Sequence, residues 1–551
     1  MKEYVVTLQN FQDLDAFYED METEGGSITI PNRLVECAMR RNISRNTHYL
    51  LTEEEAELLR NDSRVLAVEL LPSEVGLVVT PYYNQTGIFQ KSSTIGSNEK
   101  NWGLLRCARG SQIPSWGTDG YPYPSQTGTI NTTASGKNVD VVIVDSHINP
   151  LHPEFAVNPD GTGGSRVDQI NWFLYNEFLE FPYTGPYSYS NISSNHGTHV
   201  AGTVAGNTQG WARDSKIYNM EFGYNGGNAP PGGNWELYLF DYLRAFHLFK
   251  PINPATGTRN PTVTNHSWGY SYNQIDLSQV TSVTYRGTTT SLSGFSTTVK
   301  ATTLQANGVP VPGGTYLYRV PARYAALDAD IQDAIADGVI IVSSAGNSYW
   351  NMQPSTGLDY NNYVSTNNFG VVYHSRGSSP GAADGVICVG SVGTLIGENK
   401  SNFSNWGSRI DIWAPGSNII SAVYDTGAAS EWGINLVNDP RNSSYKLGSI
   451  SGTSMSSPQV AGVAALIVES CPNIKQNEIK NILIKTSKLN QITVGSTPNQ
   501  SPYTGFGDSN NRYLFYKLFR GLTGEVYPRK NQNGRGSEGQ TFPRVKIKYI
   551  R

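Results

Sequence analysis

The sequence predicts an α/β protein whose principal domain is built on a mostly parallel sheet and is preceded by a smaller α/β unit. Continuous apolar runs such as Val139–Val144, broken only by Asp140, and Val339–Ser344 have the length and composition of strands covered on both faces. Helix-compatible stretches fall between them, Ala322–Asp337 with its stop at Gly338 among them, and this alternation is the pattern of a sheet with crossover helices. The first 75 residues switch between period-two and helical spacing over short distances, which marks a separate small unit.

Length and composition set the outer limits. At 551 residues the chain exceeds one ordinary domain, and 38% hydrophobic against 16% charged residues fits a folded globular protein. A formal charge of −4 argues against nucleic acid as a partner. No apolar stretch approaches the roughly 20 residues that cross a bilayer, which argues against a membrane. Cys37, Cys107, Cys388 and Cys471 show neither metal-ligand spacing nor evident pairing, so free thiols are expected. The N-terminus carries Glu3 and Gln9 and lacks a signal-peptide core, so a location inside the cell or on a virion is expected rather than conventional secretion.

Along the chain, Tyr4–Leu8 alternates as a strand, and Leu14, Phe17, Tyr18 and Met21 recur at helical spacing. Tyr49–Leu51 is extended, Thr52-Glu53-Glu54-Glu55 opens a helix with an N-cap and an acidic first turn, and Val65–Leu71 returns as a strand. Residues 76–101 turn polar and irregular and read as linker, and the main domain is expected over 102–507. Asp145 ends the strand Val139–Val144, at the edge where open α/β sheets hold their sites. His196 and His199, three apart, share one face of a helix. Lys216–Phe222 is the next strand, Gly223–Asn234 is a loop, and Val263–Gly269 is extended again. From 270 to 319 the chain is rich in Thr, Ser, Val and Gly, which predicts surface β-hairpins. Asn347 follows the strand Val339–Ser344, Ser348–Ser379 is a long loop rich in Tyr and Asn, and 508–551 is a basic extension.

Gly448–Gly462 crowds small residues around Ser454, directly before an apolar, helix-compatible run. Gly452 is expected to let the backbone turn tightly there. A serine so placed is exposed, rigidly held and beside unpaired backbone N–H groups, the surroundings a nucleophile needs. Alone it reads more simply as a helix cap, as Asp145 reads as a turn cap and Asn347 as an Asx-turn residue. The His-x-x-His spacing suggests a metal, but no glutamate follows His196 and no third ligand appears, so no metal site is expected.

Three separated segments, Val139–Phe155, Ser190–Gly206 and Gly448–Gly462, present Asp, His and Ser in that order. Chymotrypsin-like enzymes run His, Asp, Ser, and α/β-hydrolases run Ser, Asp, His. In both order and local sequence the chain resembles the subtilases, the subtilisin and proteinase K type of serine protease. The resemblance implies a subtilisin-like three-layer α/β domain with Asp145, His196 and Ser454 as triad, Asn347 as oxyanion donor and His199 as a structural residue. It also implies that Ser267, Trp268 and Gly269 form one wall of a substrate cleft and that 223–234 forms the other; Trp268 stands where leucine is usual. Residues 1–75 resemble the ferredoxin-like inhibitory propeptide of the family, and Trp102-Gly103-Leu104-Leu105-Arg106 resembles the opening of its mature domains. Self-processing would then cut within the linker. The implied partners are protein or peptide substrates and the chain's own propeptide. No cofactor is implied, and calcium is not assignable: Gly206–Ala212 is too short for the calcium loop of subtilisin itself.

The family shows Asp-Thr-Gly or Asp-Ser-Gly where this chain has Asp145-Ser146-His147. If that third position needs a left-handed backbone, His147 costs about 1 kcal/mol or more and distorts Asp145. That departure motivates one alternative reading, a pseudoenzyme that binds peptides without turnover. A structural or virion-associated protein that also carries protease activity is another. Triad chemistry requires neutral His196, so activity should rise with pH through about 6.5 to 7.

Overall fold

The structure, a computed structural model, describes residues 1–41, 44–71, 74, 83–113, 116, 125–179, 187, 189, 194–221, 235–394, 398–493 and 506–516. It divides into two compact units, the first within residues 1–80 and the second within 81–518.

In the first unit β1 (Lys2–Leu8), α1 (Leu14–Met21), β2 (Cys37–Met39), β3 (Asn46–Leu51), α2 (Glu53–Arg60) and β4 (Val65–Leu70) follow one another. The sheet is antiparallel in the order β2-β3-β1-β4, the ferredoxin-like arrangement of a βαββαβ chain. Tyr4, Val6 and Leu8 of β1 pack against Leu14, Phe17 and Met21 of α1, the residues that the two periodicities single out. Thr52 and Glu55 close a reciprocal capping box at the start of α2. The short edge strand β2 has no alternating pattern to announce it, and its two last residues are exposed.

The second unit opens with β5 (Tyr83–Gln90), β6 (Glu99–Asn101), α3 (Trp102–Arg109) and β7 (Gln126–Thr132). β5 pairs antiparallel with β7 along its length and parallel with β6, so residues 83–101 are sheet and turn rather than the linker expected from sequence. Buried polar groups hold this segment. Gln85 donates to Thr208 O at 2.9 Å, and the Lys91 ammonium lies 3.6 Å from Glu398 and over the rings of Trp102 and Trp116. Arg106 binds the same carboxylate at 2.7 to 2.9 Å.

Next come β8 (Asp140–Asp145), β9 (Val167–Asp168), α4 (Asn176–Leu179), α5 (His196–Ala205), β10 (Lys216–Glu221), α6 (Leu239–Phe249) and β11 (Thr262–His266). An inserted region follows with β12 (Ser271–Asp276), β13 (Val280–Tyr285), β14 (Thr288–Ser291), α7 (Thr297–Ala306) and β15 (Tyr316–Pro321). The chain continues through α8 (Ala325–Asp337), β16 (Ile340–Ser344), β17 (Tyr363–Thr366), β18 (Gly370–Tyr373), β19 (Ile387–Val392), β20 (Ile412–Pro415), β21 (Ile419–Ala422) and α9 (Ala428–Trp432). It ends with β22 (Leu436–Asp439), β23 (Asn442–Ile450), α10 (Thr453–Ser470), α11 (Gln476–Thr486), β24 (Lys488–Leu489) and β25 (Arg512–Tyr513).

The nine-stranded sheet runs β24-β25-β20-β19-β16-β11-β8-β10-β9 and is parallel except between β24 and β25. Every residue of β8 is buried, as a strand covered on both faces requires. Val142 and Val144 join Leu243 and Phe246 of α6 and Leu327 and Ile331 of α8 in one core cluster. Val141 and Ile143 alternate to the opposite face, where α5 and α10 pack on each other and on the sheet.

The structure departs from expectation in two further places. The insertion is not hairpins alone: it includes α7, and β13 pairs with β17, giving the four-stranded sheet β14-β13-β17-β18. The stretches 270–319 and 348–379 therefore build one subdomain around Val283, Leu304, Val320, Trp350 and Val364. Nor does the core close at Gly507, because β25 adds in parallel to β20 and Tyr513, Leu514 and Tyr516 are buried. Residues 508–516 thus belong to the main domain, and the basic tail from 517 onward lies outside the described residues, as does the expected cleft loop 223–234.

Candidate active site

Ser454 is the second residue of α10. Pro458 lies one turn further on and lacks the N–H that would close a helical bond to the Ser454 carbonyl. Ser267 replaces it: its Oγ donates to Ser454 O at 2.9 Å while sharing contacts with Asn265 Nδ2 at 2.9 Å and Ser457 Oγ at 3.1 Å. The first turn of α10 is thereby tied to the chain leaving β11. The Ser454 hydroxyl donates to Ser267 O at 3.3 Å, and among the described residues it makes no hydrogen bond with His196. Gly452 is extended rather than left-handed, so the tight turn expected of it is absent. A Cβ there would touch Asn347 Nδ2 at 3.4 Å and cover that donor.

Asn347 follows β16, and its orientation is fixed by its neighbour in the helix. Thr453 N and Thr453 Oγ1 both donate to Asn347 Oδ1, at 2.8 and 2.7 Å, which leaves Nδ2 as the end beside Gly452 and the cleft. Gly346 N donates to Thr453 Oγ1 at 3.1 Å and completes the clamp. Gly346 has φ +100°, and a Cβ on it would lie 2.6 Å from Asn405 Nδ2, so no other residue fits. Sequence reasoning missed Thr453 as an orienting residue, although it sits next to the serine.

Asp145 ends β8, and its Oδ1 accepts from Ser146 N and faces His196 Nδ1, each at 2.7 Å. The approach depends on Gly197, where a Cβ would come within 2.2 Å of Ser146 O; its N–H instead donates to Ser146 Oγ at 2.7 Å. Glu431 of α9, absent from the sequence-level candidates, braces the same helix start through Asn195 N and Nδ2 at 3.0 and 2.9 Å and through Ser194 Oγ. Burial pushes the His196 pKa down, but the Asp145 charge and hydrogen bond, with Glu431 behind them, outweigh it and hold it above the ordinary histidine value.

His147 does not occupy the left-handed region, so the strain considered from sequence is not incurred. Its ring is buried between Tyr189 and Tyr424, 3.6 Å from Glu221, and the Asp145–His196 contact is intact beside it. His199 is fully buried, with Nε2 at 3.0 Å from Ile419 O and 3.3 Å from Gly448 O, and burial lowers its pKa to about 3. It is a framework residue. Among the described residues no group of three or more His, Cys, Asp or Glu is placed to hold a metal ion, and all four cysteines are free thiols.

His196, Ser454 and Asn347 line one cleft of about 850 Å³, with Ser267, Trp268 and Gly269 along one side. Trp268 both faces the cleft and packs edge-on against His266 and Tyr270, at 5.9 and 6.1 Å. Ser93, from the stretch expected to be linker, also reaches the cleft.

Residues 136–512, more than half of the chain, match the model of the subtilase family. The chain is 25% identical over 358 residues to alkaline serine exoprotease A of Vibrio alginolyticus, covering 64% of this chain and 47% of that one. It is 25% identical over 397 residues to a subtilisin-like protease of Coccidioides posadasii, covering 70% and 64% of the two chains. Against subtilisin DY of Bacillus licheniformis the identity is 27% over 352 residues, with 64% and 84% covered. The match therefore spans between about half and two thirds of the length of the first two relatives. A cold-adapted subtilisin-like serine proteinase of known crystal structure superposes with a TM-score of 0.43 at 21% identity, over 78% of this chain and all of that one. By the family match across its main domain, this chain belongs to the subtilase family.

Proposed function

We propose that the protein is a serine endopeptidase acting on protein or peptide substrates, with Asp145, His196 and Ser454 as its triad, made as a proenzyme that removes its own N-terminal unit. The observation that carries this reading is the 2.7 Å contact of Asp145 with His196, which lines the same cleft as Ser454 and Asn347. The relatives' names, a serine exoprotease and a subtilisin among them, support the same chemistry.

In this mechanism a turn of the Ser454 side chain away from Ser267 O brings its hydroxyl to His196 Nε2, a contact that commonly tightens only with substrate bound. His196 takes the proton as Oγ attacks the peptide carbonyl, and then gives it to the leaving amine. Asp145 fixes the tautomer with the proton on Nδ1 and stabilises the imidazolium. Asn347 Nδ2 and the Ser454 backbone N–H receive the negative charge on the carbonyl oxygen. Water, activated by the same imidazole, releases the acyl group. A peptide lying extended along the Ser267–Gly269 wall gains backbone hydrogen bonds whatever its side chains.

The test is paired. A fluorophosphonate probe should label Ser454 in the wild type and not in Ser454→Ala, and the intact mass of the wild type should fall short of the full chain while Ser454→Ala stays whole. An unlabelled wild type that degrades no protein would overturn the reading; labelling with normal trimming of pure Ser454→Ala would remove self-processing from it.

A further inference from the structure

Arg319 is the residue of the inserted subdomain that reaches the cleft with a charge. On β15, Leu317 and Val320 are buried and two consecutive residues between them, Tyr318 and Arg319, are not, so the alternation of the strand is broken at this point. The break coincides with a left-handed backbone at Arg319, φ +42°, a conformation disfavoured for any residue with a side chain. Arg319 lines the same cleft as Ser267, Trp268, Gly269 and Ser271. It makes no ion pair among the described residues; its contact is with the Tyr318 ring, 5.1 Å from the guanidinium carbon. None of the described residues lining the cleft is Asp or Glu.

We propose that Arg319 forms a subsite for a carboxylate side chain of the bound peptide, so that the enzyme favours a substrate with Asp or Glu at the position lying along the Ser267–Ser271 wall. The proposal rests on the peptidase reading above and names the substrate class for that site. A guanidinium presents a planar fork of donors that matches a carboxylate, and the described residues lining the cleft include no acid to compete for it. Arg319 is exposed, so solvent screening limits the preference to about 2- to 5-fold at low salt.

The experiment uses fluorogenic peptide pairs that differ only as Glu or Gln, scanned one position at a time on both sides of the cleaved bond, against the wild type, Arg319→Lys, Arg319→Gln and Arg319→Glu. Expected is a Glu-over-Gln ratio in kcat/KM of about 2 to 5 at one position, shrinking with added salt, partly kept by Arg319→Lys, near one in Arg319→Gln and below one in Arg319→Glu. A wild-type ratio near one at every position, or a preference that survives Arg319→Gln, overturns the subsite. The same peptides are also titrated by fluorescence anisotropy. Arg319-dependent Glu preference in binding without any cleavage sinks the peptidase reading and keeps the subsite. Cleavage without that preference does the reverse, and absence of both sinks both.

Discussion

The bond between Ser267 Oγ and Ser454 O exists because Pro458 cannot supply its own, and this makes a sharp double-mutant test. In a Ser454→Ala background, which keeps the carbonyl and removes the proposed nucleophile, Ser267→Ala leaves the residue-454 carbonyl without its 2.9 Å donor and Asn265 Nδ2 without its 2.9 Å acceptor. Both groups are buried, and each such loss costs about 1–3 kcal/mol, so a total of about 2–6 kcal/mol is expected. Pro458→Ala restores an N–H four residues after Ser454 and gives the carbonyl an ordinary helical partner. The double variant should therefore recover about 1–2 kcal/mol relative to the sum of the single changes. Urea unfolding followed by tryptophan fluorescence and by circular dichroism supplies the free energies. Additivity within about 0.5 kcal/mol, or a Ser267→Ala effect below that size, would refute the idea that one side chain substitutes for the missing proline donor.

Other expectations follow from the same geometry. The His196 pKa is raised in the folded protein, so its ion pair stabilises the fold below the ordinary value of about 6.5 and that contribution fades as pH rises through the folded value, while kcat/KM climbs over the same range as the imidazole becomes neutral. Glu431→Gln removes one of the charges that raise it and should move the acidic limb of kcat/KM to lower pH; an unmoved limb contradicts the assignment. Asn347→Leu should lower kcat by about 10²- to 10³-fold with little change in KM, a magnitude taken from subtilisin itself, and loss in KM alone would exclude an oxyanion role. Because β5 is paired from Tyr83 onward, N-terminal sequencing of the processed protein should begin at or before Tyr83, and a start beyond Gln90 would contradict an integral β5.

Legibility in the sequence followed how local each signal is. Asp145 at a strand end, His196 at a helix start, Asn347 after a buried strand and Ser454 at the head of α10 all sit where short-range periodicity and capping chemistry predict, and the first unit emerges from the same two periods. What the chain alone misjudged depends on partners far away. Residues 83–101 read as linker because Gln85 and Lys91 look solvated until Thr208 and Glu398 arrive to bury them, and the insertion read as hairpins because β13 finds its partner β17 some 80 residues later. His147 looked like a source of strain, and only its rings of contact and its ordinary backbone decided otherwise. The sequence by itself determined which residues could do chemistry and which elements carry them, since propensity and burial pattern act within a few residues. The tertiary structure decided how they are placed: Thr453 on Asn347, Glu431 behind His196, Ser267 in place of a proline donor, Arg319 at the cleft. Hydrogen bonds and charge contacts between distant segments exist only once the chain has closed on itself.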